Sequence, residues 1–201
     1  METNNTAVMC GTVAEPPRFS HTGGDNAERY LTFPLEIERL SGVVDKINVV
    51  AREADLAELE LTGQSRLSVA GEIRSFNNKS GQGSRLVITV FAKELSFTDE
   101  PDSNTVTLTG ALCKEPTLRK TPMGRQICDI MLAVNRRYGR SDYLPCIAWG
   151  RAAQALSERG TGETVSLTGR IQSRKYIKTT PDGAEERTAY EISVISLNNP
   201  A

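Results

Sequence analysis

The feature of this sequence that most constrains its fold is an internal repeat with a period of about 98 to 99 residues. NTAVMCG at residues 5–11 matches NTVTLTG at 104–110, and a proline follows the last glycine of each segment six residues later. LSVAGEI at 67–73 matches VSLTGRI at 165–171. Solenoid repeats have periods of about 20 to 50 residues, so the longer period indicates two duplicated domains.

The two predicted domains carry opposite net charge. They span residues 1–98 and 104–201, with a polar, proline-containing linker at 99–103. Residues 1–103 hold 10 Lys+Arg against 16 Asp+Glu, a net charge of -6, whereas residues 104–201 hold 14 against 9, a net charge of +5. Net charge bears on the choice of partner, so a polyanion is expected on the basic half.

Each repeat contains five alternating segments typical of strands and one segment with helical composition. The helices are predicted at residues 53–61 and 151–159, each between the third and fourth strands and each followed by a glycine. This is the element order of the OB-fold. We therefore predict an all-β protein of two tandem OB-fold five-stranded Greek-key barrels, each with one short helix between strands 3 and 4. The predicted strands are 6–13, 29–40, 43–51, 66–75 and 85–97, then 105–111, 126–138, 143–149, 163–174 and 188–197.

Several functional classes find no support in the sequence. No apolar run approaches the roughly 20 residues that a membrane span needs, and no signal peptide is indicated, so a cytoplasmic protein is expected. The four cysteines are widely spaced and His21 is the only histidine, which predicts reduced thiols, no metal site and no cofactor. Clustered carboxylates and nucleophile motifs are absent, so neither an enzyme nor a small-molecule substrate is predicted.

The segment of residues 131–151, MLAVNRRYGRSDYLPCIAWGR, combines two strand-like runs with a glycine turn and is predicted to form a hairpin. It carries Tyr138, Tyr143 and Trp149, whose rings suit a surface better than a dry core. Arginines at 136, 137, 140 and 151 surround these rings. Cations interleaved with aromatic faces are typical of surfaces that bind a single nucleic-acid strand. For Trp149 the alternative is a core position at the end of a strand.

Residues 104–197 resemble the bacterial-type single-stranded DNA-binding protein family. The similar segments are VTLTG at 106–110, Pro116, Arg119, TPMG at 121–124, LAVNR at 132–136, AWGR at 148–151, VSLTGR at 165–170 and SRKY at 173–176. The resemblance implies a non-enzymatic protein that coats single-stranded DNA through OB-folds, four of which form the working unit. With two barrels in each chain, a homodimer is expected.

The resemblance also implies which residues contact DNA. Members of the family have stacking aromatics at four positions, which hold Tyr138, Tyr143, Trp149 and Tyr176 in this sequence. Basic residues near these rings are expected to contact phosphates, and Lys178 is included because the loop between strands 4 and 5 borders the groove of such barrels. The predicted phosphate-binding residues are Arg119, Arg136, Arg137, Arg151, Arg174, Lys175 and Lys178.

The first repeat departs from the family pattern. An offset of 98 residues places Leu40, Asp45, Ala51 and Asn78 at the four stacking positions, and none is aromatic. Its phenylalanines are interpreted as core residues, apart from Phe76, which is retained as a possible ring contact; the core set is Phe19, Phe33, Phe91 and Phe97. Because this half is acidic and lacks the aromatic positions, it is predicted to be a structural OB-fold.

The main alternative function is a protein-interaction module, such as a primosome-type adaptor built on OB-folds with weak nucleic-acid binding. The rings of the second repeat argue against this alternative, and the missing rings of the first repeat argue for it. Members of the family commonly end in a glycine-rich tail with an acidic tip that recruits other proteins. Here LNNPA at 197–201 follows the last predicted strand, which favours an accessory role over a housekeeping one.

Overall fold

The computed structural model describes residues 4–24, 26–79, 84–136, 139–180 and 183–198. The protein is all-β apart from two short helices, as predicted. The first repeat contains β1 (Asn5–Val13), β2 (Arg18–Gly23), β3 (Glu28–Glu38), β4 (Val44–Arg52), α1 (Glu53–Leu56), β5 (Arg66–Asn77) and β6 (Leu86–Phe97). The second contains β7 (Ser103–Leu112), β8 (Thr117–Lys120), β9 (Gln126–Asn135), β10 (Ser141–Trp149), α2 (Gly150–Ser157), β11 (Thr164–Thr180) and β12 (Gly183–Asn198).

Five strands of each repeat close into a barrel. In the first repeat the circuit runs β1-β3-β4-β6-β5 and returns to β1, with β4 and β6 parallel. In the second it runs β7-β9-β10-β12-β11 and returns to β7, with β10 and β12 parallel. Each helix lies between the third and fourth barrel strands in chain order. The predicted OB-fold architecture is therefore confirmed.

Alternate residues of the barrel strands fill the two cores. In β5 every second side chain from Leu67 to Ser75 is buried, and in β10 the even-numbered residues from Asp142 to Ala148 are buried. Burial of a large aliphatic side chain contributes about 1.5–3 kcal/mol. The largest buried side chains are Met9, Phe33, Leu35, Ile47, Leu67 and Ile73 in the first repeat and Leu108, Leu112, Ile127, Leu132, Leu144 and Leu156 in the second.

The glycines that mark the repeat in the sequence lie where strands approach most closely. A Cβ atom on Gly110 would lie 2.4 Å from the carbonyl oxygen of Ala133, and one on Gly11 would lie 2.4 Å from that of Glu36. Only a residue without a side chain permits this approach of two backbones. The repeated glycines therefore mark the point at which β1 and β7 cross to β3 and β9 to close each barrel.

The strand registers give the true spacing between equivalent positions. Leu112 pairs with Leu132 as Val13 pairs with Leu35, so equivalent residues are 99 apart in the first barrel strand but 97 apart in the second. The spacing of 97 continues into the third strand, where Leu144 pairs with Leu132 as Ile47 pairs with Leu35.

The uniform offset of 98 residues was therefore wrong for two stacking positions. The counterpart of Tyr143 is Lys46 rather than Asp45, and the counterpart of Trp149 is Arg52 rather than Ala51. The buried residues Asp45 and Ala51 correspond instead to the buried Asp142 and Ala148. Loops of different length cause the drift, because register is set by pairing between strands and not by a constant spacing in sequence.

Several elements differ from the predicted ones. The short strands β2 and β8 were not predicted; each pairs with the edge of its barrel and extends the sheet beside β3 or β9. Helix α1 ends at Leu56 rather than at residue 61, and Glu58 and Glu60 near the predicted C-terminus would oppose the helix dipole. Strands β11 and β12 extend to Thr180 and from Gly183, beyond the predicted ends, because Ile177 and Thr179 favour extended pairing over a loop.

By its contacts the chain divides into two compact units that do not follow chain order. One consists of Met1–Asn5, Ser75–Ile88 and Val106–Ala201, and the other of Thr6–Arg74 and Thr89–Thr105. The predicted linker lies in the second of these units, where the Asp102 carboxylate accepts hydrogen bonds from the Glu38 amide and the Arg66 guanidinium.

Within the described ranges no helix has the length and apolar character needed to cross a membrane.

Candidate nucleic-acid interface

Strand β10 presents two aromatic rings on the outer face of the second barrel. Tyr143 and Trp149 are 52% and 40% exposed, whereas Asp142, Leu144 and Ala148, which alternate with this face, are buried. Tyr143 and Trp149 are six positions apart, which corresponds to about 20 Å along an extended strand. Their spacing and exposure suit two separate contacts along an extended ligand.

The end of β10 explains why Trp149 is not in the core. The tryptophan is the last residue of the strand, and α2 begins at the next residue, Gly150, whose φ of 56° lies in the left-handed region that favours glycine. The chain turns away there and α2 buries Ala153 and Leu156. The indole therefore stays at the rim of the outer face, which excludes the alternative of a core tryptophan.

Tyr176 lies on the long β11–β12 hairpin. Because side chains alternate along a strand, Arg174, Tyr176 and Lys178 share one face and Lys175 lies on the other. The Arg174 guanidinium lies 5.9 Å from the centre of the Tyr176 ring, and Lys175 forms a 3.0 Å ion pair with Glu186. The structure thus separates Lys175 from the face that carries the tyrosine.

Arg136 is engaged within the β9–β10 hairpin. Its Nε donates to Asp142 Oδ2 at 2.5 Å and its Nη2 donates to Asp142 Oδ1, a carboxylate with no exposed surface. The first repeat has the same bidentate pair between Arg39 and Asp45, at 2.6 and 2.5 Å. Since the repeat without the aromatic positions retains this pair, Arg136 has a structural role in the hairpin. Its predicted neighbours Arg137 and Tyr138 lie outside the described residues.

The other predicted phosphate-binding residues are exposed. Arg119 forms a bidentate pair with Asp129, which raises the pKa of the guanidinium. Arg174 is 3.6 Å from Glu191, a distance at which its positive charge is only partly compensated. Arg151, in the first turn of α2, and Lys178 are exposed and form no ion pair within the described part of the chain.

An open cleft beside Trp149 contains basic residues that the sequence analysis missed. It has a volume of about 650 Å³ and is lined by Trp149, Gly150, Lys120, Gly124, Arg125 and Gln126. Lys120 and Arg125 are exposed, and neither side chain forms an ion pair within the described ranges. The short strand β8 brings these cations beside the tryptophan, so they could have been found only by predicting the β8–β9 hairpin.

No group of three or more potential metal ligands occurs among the described residues.

The first barrel has a ring cluster that the sequence analysis also missed. The rings of His21 and Tyr30 are stacked with centroids 4.8 Å apart, and the Phe91 ring is 5.7 Å from that of Tyr30. The Tyr30 hydroxyl donates a hydrogen bond to Glu28. The pKa of Tyr30 is raised, mainly by burial and to a smaller extent by this hydrogen bond. The rings thus contact one another within a hydrogen-bonded, acidic environment.

The cations around this cluster are neutralised by carboxylates. Arg29 pairs with Glu53, Arg52 with Asp55, and both Arg74 and Lys93 with Glu72. The unit of Thr6–Arg74 and Thr89–Thr105 contains 8 Lys+Arg against 15 Asp+Glu. Such a surface repels phosphates despite its rings.

The interpretation of the first-repeat phenylalanines as core residues is correct for Phe33 and wrong for Phe19 and Phe97. Phe33 is fully buried, whereas Phe19 and Phe97 are more than half exposed, and Phe91 is intermediate within the ring cluster. Phe19 lies on the edge strand β2 beneath the Arg29 guanidinium, 4.9 Å from its ring centre. Phe76 is exposed, as a ring contact requires.

Comparison with known proteins finds sequence similarity for the second repeat. Residues 103–198 match the model of the Single-strand binding protein family. A Single-stranded DNA-binding protein of Oceanobacillus iheyensis is 32% identical over 100 residues, which cover 46% of this chain and 59% of that protein. Single-stranded DNA-binding protein 2 of Streptococcus agalactiae is 35% identical over 82 residues, covering 37% and 63%. The matched region thus spans less than two thirds of these relatives.

Similarity in structure extends over both repeats. The crystal structure of wild-type single-stranded DNA binding protein from Thermus aquaticus superposes with a TM-score of 0.76 at 21% identity and covers 98% of this chain and 93% of that chain. At this identity the comparison establishes a shared fold of two barrels. Residues 103–198 of this chain are thus similar in sequence to the Single-strand binding protein family, and both repeats share the fold of the Thermus aquaticus protein.

Proposed function

We propose that this protein binds single-stranded DNA without strong sequence preference, through the outer face of its second barrel. The observation that carries the proposal is the exposure of Tyr143 and Trp149 on one face of β10, with Lys120 and Arg125, which form no ion pair within the described residues, lining the cleft at Trp149. Every base has an aromatic face, so stacking on such rings tolerates any sequence. The family relationship of this repeat supports the same function.

Bases stack on Tyr143, Trp149 and Tyr176, and phosphates are contacted by Arg151, Arg174 and Lys178. Lys120 and Arg125 extend the basic surface along the cleft beside Trp149. Arg136 holds the hairpin through Asp142 and is not a phosphate contact in this scheme. Tyr138, which matches a stacking position of the family, and Arg137, its neighbour in sequence, complete the proposed set.

The proposed assembly is a homodimer, in which two chains supply four barrels. The support is the two-barrel chain together with the four-barrel working unit that the family resemblance implies. Sedimentation equilibrium at micromolar concentration should give twice the chain mass of 22.0 kDa. A stable monomer, or a species of four chains, would contradict this assembly.

The alternative of a protein-interaction adaptor is favoured by one observation on the first barrel. The turn between β3 and β4 exposes Leu40, Val43 and Val44, where the equivalent turn of the second barrel carries arginines. An exposed apolar turn suits a protein partner better than a polyanion. Titration with oligo-dT, monitored by Trp149 fluorescence, separates the two functions. An adaptor that binds a protein through this turn would not change the environment of Trp149 when oligo-dT is added.

Trp149 is the only tryptophan, so its fluorescence reports on the proposed site alone. Titration with oligo-dT should quench the emission, and the affinity should fall with salt at a log-log slope of roughly -0.7 for each phosphate neutralised. A duplex of the same length is the control and should quench far less, since its bases are already stacked. Absence of both quenching and salt-dependent binding would reject the proposal in favour of the adaptor.

A further inference from the structure

A segment of the first repeat is part of the compact unit that contains the second barrel. Ser75–Ile88, from the end of β5 to the start of β6, groups with Val106–Ala201, while the rest of β5 groups with the first barrel. The described arms of this hairpin are residues 75–79 and 84–88. We call them the β5–β6 arms.

Ser75 forms hydrogen bonds to the β9–β10 hairpin, which carries Tyr143. The Ser75 amide donates to Asp142 Oδ1 at 2.5 Å, the Ser75 hydroxyl accepts from the Tyr143 amide at 2.9 Å, and the Ser75 carbonyl accepts from Arg136 Nη2 at 3.2 Å. Thus the amide, hydroxyl and carbonyl of one buried residue are all satisfied by β9–β10 residues 61 to 68 positions away. A second bond, from the Ser84 hydroxyl to the Thr188 carbonyl at 2.5 Å, attaches the other arm to β12.

The Tyr143 amide lies where strand pairing ends. Within the described residues β10 pairs with β12 only at Cys146 and Ile147, three residues beyond Tyr143. The Tyr143 amide is partly buried, so leaving it without a partner is costly, and Ser75 supplies the acceptor that β12 does not. The hydroxyl of Ser75 therefore fixes the backbone from which the exposed Tyr143 ring projects.

The charge of the β5–β6 arms differs from that of the rest of the first repeat. Ser75–Ile88 contains Lys79 and Arg85 and no carboxylate, and both cations are exposed. The unit to which it belongs contains 16 Lys+Arg against 10 Asp+Glu, whereas the other unit is acidic. Ser75–Ile88, the longer of the two first-repeat segments in the basic unit, is thus itself basic, as contact with a polyanion requires.

From these contacts we infer that the first repeat contributes to the single-stranded DNA site of the second through the β5–β6 arms. Ser75 is the positioning residue, which sets the backbone at Tyr143, and Phe76 is an additional stacking ring. Phe76 follows Ser75 directly and is 53% exposed, in a segment with two cations. This inference rests on the proposed function, and it changes the expected role of the first repeat from a purely structural domain to a partial participant in binding.

The ring contact is tested with a matched pair of variants. Phe76 and Phe97 are 53% and 54% exposed and both come from the first repeat, but Phe97 lies in the acidic unit. Phe76→Ala should weaken oligo-dT binding by at least about fivefold, the lower end for loss of one stacking ring. Phe97→Ala should leave the affinity unchanged. Trp149 remains in both variants, so fluorescence quenching measures the affinity of each.

The positioning role is tested with a double-mutant cycle. Ser75→Ala should weaken oligo-dT binding by about three- to tenfold, the range for one typical intramolecular hydrogen bond, through misplacement of the Tyr143 ring. In the Tyr143→Ala background the same substitution should have almost no further effect on binding, because the ring it positions is gone. A purely structural role would lower the melting temperature equally in both backgrounds and leave the two effects on affinity additive.

The outcomes separate this inference from the function on which it rests. Absence of oligo-dT binding by the wild-type protein would overturn both. If the wild type binds and Tyr143→Ala weakens binding, the function stands; then equal affinities of Phe76→Ala and Phe97→Ala, or additive effects of Ser75→Ala and Tyr143→Ala, would overturn the contribution of the first repeat alone.

Discussion

Arg52 in the first barrel and Trp149 in the second occupy equivalent positions. Each is the last residue of the third barrel strand and precedes a helix by one residue, and each pairs with an equivalent residue of the neighbouring strand, Tyr30 or Ile127. The cation in the first barrel is paired with Asp55, whereas the indole in the second remains open beside the basic cleft. The same position of the barrel thus holds an ion-paired arginine in the first repeat and an exposed ring that can stack on a base in the second.

This relationship predicts unequal effects of two equivalent substitutions. Trp149→Ala should weaken the binding of oligo-dT by about 1–3 kcal/mol, the usual contribution of one stacking ring. Arg52→Ala should leave it unchanged, because Arg52 is exposed, ion-paired and surrounded by carboxylates. Fluorescence anisotropy of a dye-labelled oligonucleotide is the measurement, since the first variant has no tryptophan. Equal losses would show that the first barrel binds DNA at the same position.

Arg136→Met is expected to affect stability more than DNA binding. Its partner Asp142 is fully buried, so loss of the guanidinium leaves a buried carboxylate without its cation. The cost should be about 3 kcal/mol, at the low end for breaking a buried pair because Arg136 is itself 25% exposed. Urea unfolding measures it, and Arg39→Met in the first repeat is the matched variant with a similar expected loss.

The salt dependence of binding distinguishes this role from a phosphate contact. If Arg136 contacts a phosphate instead, Arg136→Met would reduce the slope of log affinity against log salt by about 0.7 with little change in the unfolding midpoint. We expect the reverse: a lower midpoint and, for the fraction that remains folded, an unchanged slope.

The fold was predictable because its signals are local. Alternation of apolar and polar residues indicated most of the barrel strands without information from distant parts of the chain, whereas the role of Gly11 and Gly110 in closing the barrels is visible only in the structure. The short strands β2 and β8 escaped prediction because their residues are exposed and show no alternation of burial. They form by pairing with the edge of another strand, and the residue pattern within one β-strand does not reveal such pairing.

The site was predictable only in part, because it depends on pairing over long distances. The rings of Tyr143 and Trp149 were recognisable from their neighbours in sequence. In contrast, the role of Arg136 depends on a carboxylate across the hairpin, and the role of Ser75 depends on the Asp142 carboxylate and the Tyr143 amide, both more than 60 residues away. A serine in an alternating strand has no local signal for such a contact. The correct counterparts of the rings likewise required strand registers, since loops shift the repeat by one or two residues.

The cleft beside Trp149 predicts a basic extension of the DNA path. The double variant Lys120→Gln/Arg125→Gln should reduce the magnitude of the salt slope by up to roughly 1.4, about 0.7 for each phosphate that is no longer neutralised, with no change in unfolding. Lys114→Gln/Arg159→Gln removes the same charge from exposed positions of the same repeat outside the cleft and is the control. Equal slopes for the two double variants would mean that only net charge matters and that the cleft has no specific role.

The thiols of the second repeat should differ sharply in reactivity. Burial raises the pKa of Cys128 and Cys146, with smaller contributions from Asp129 and Glu191 respectively, so both remain protonated at pH 8 and are shielded from reagents. Cys10 is also buried, while Cys113 is half-exposed and its Sγ donates to the Met131 carbonyl at 3.3 Å. A disulfide-exchange reagent at pH 8 should therefore titrate about one rapid thiol in the native protein and four in urea. Cys113→Ser should remove the rapid phase, and a rapid phase that persists in this variant would show that the barrel core opens on the timescale of the reaction.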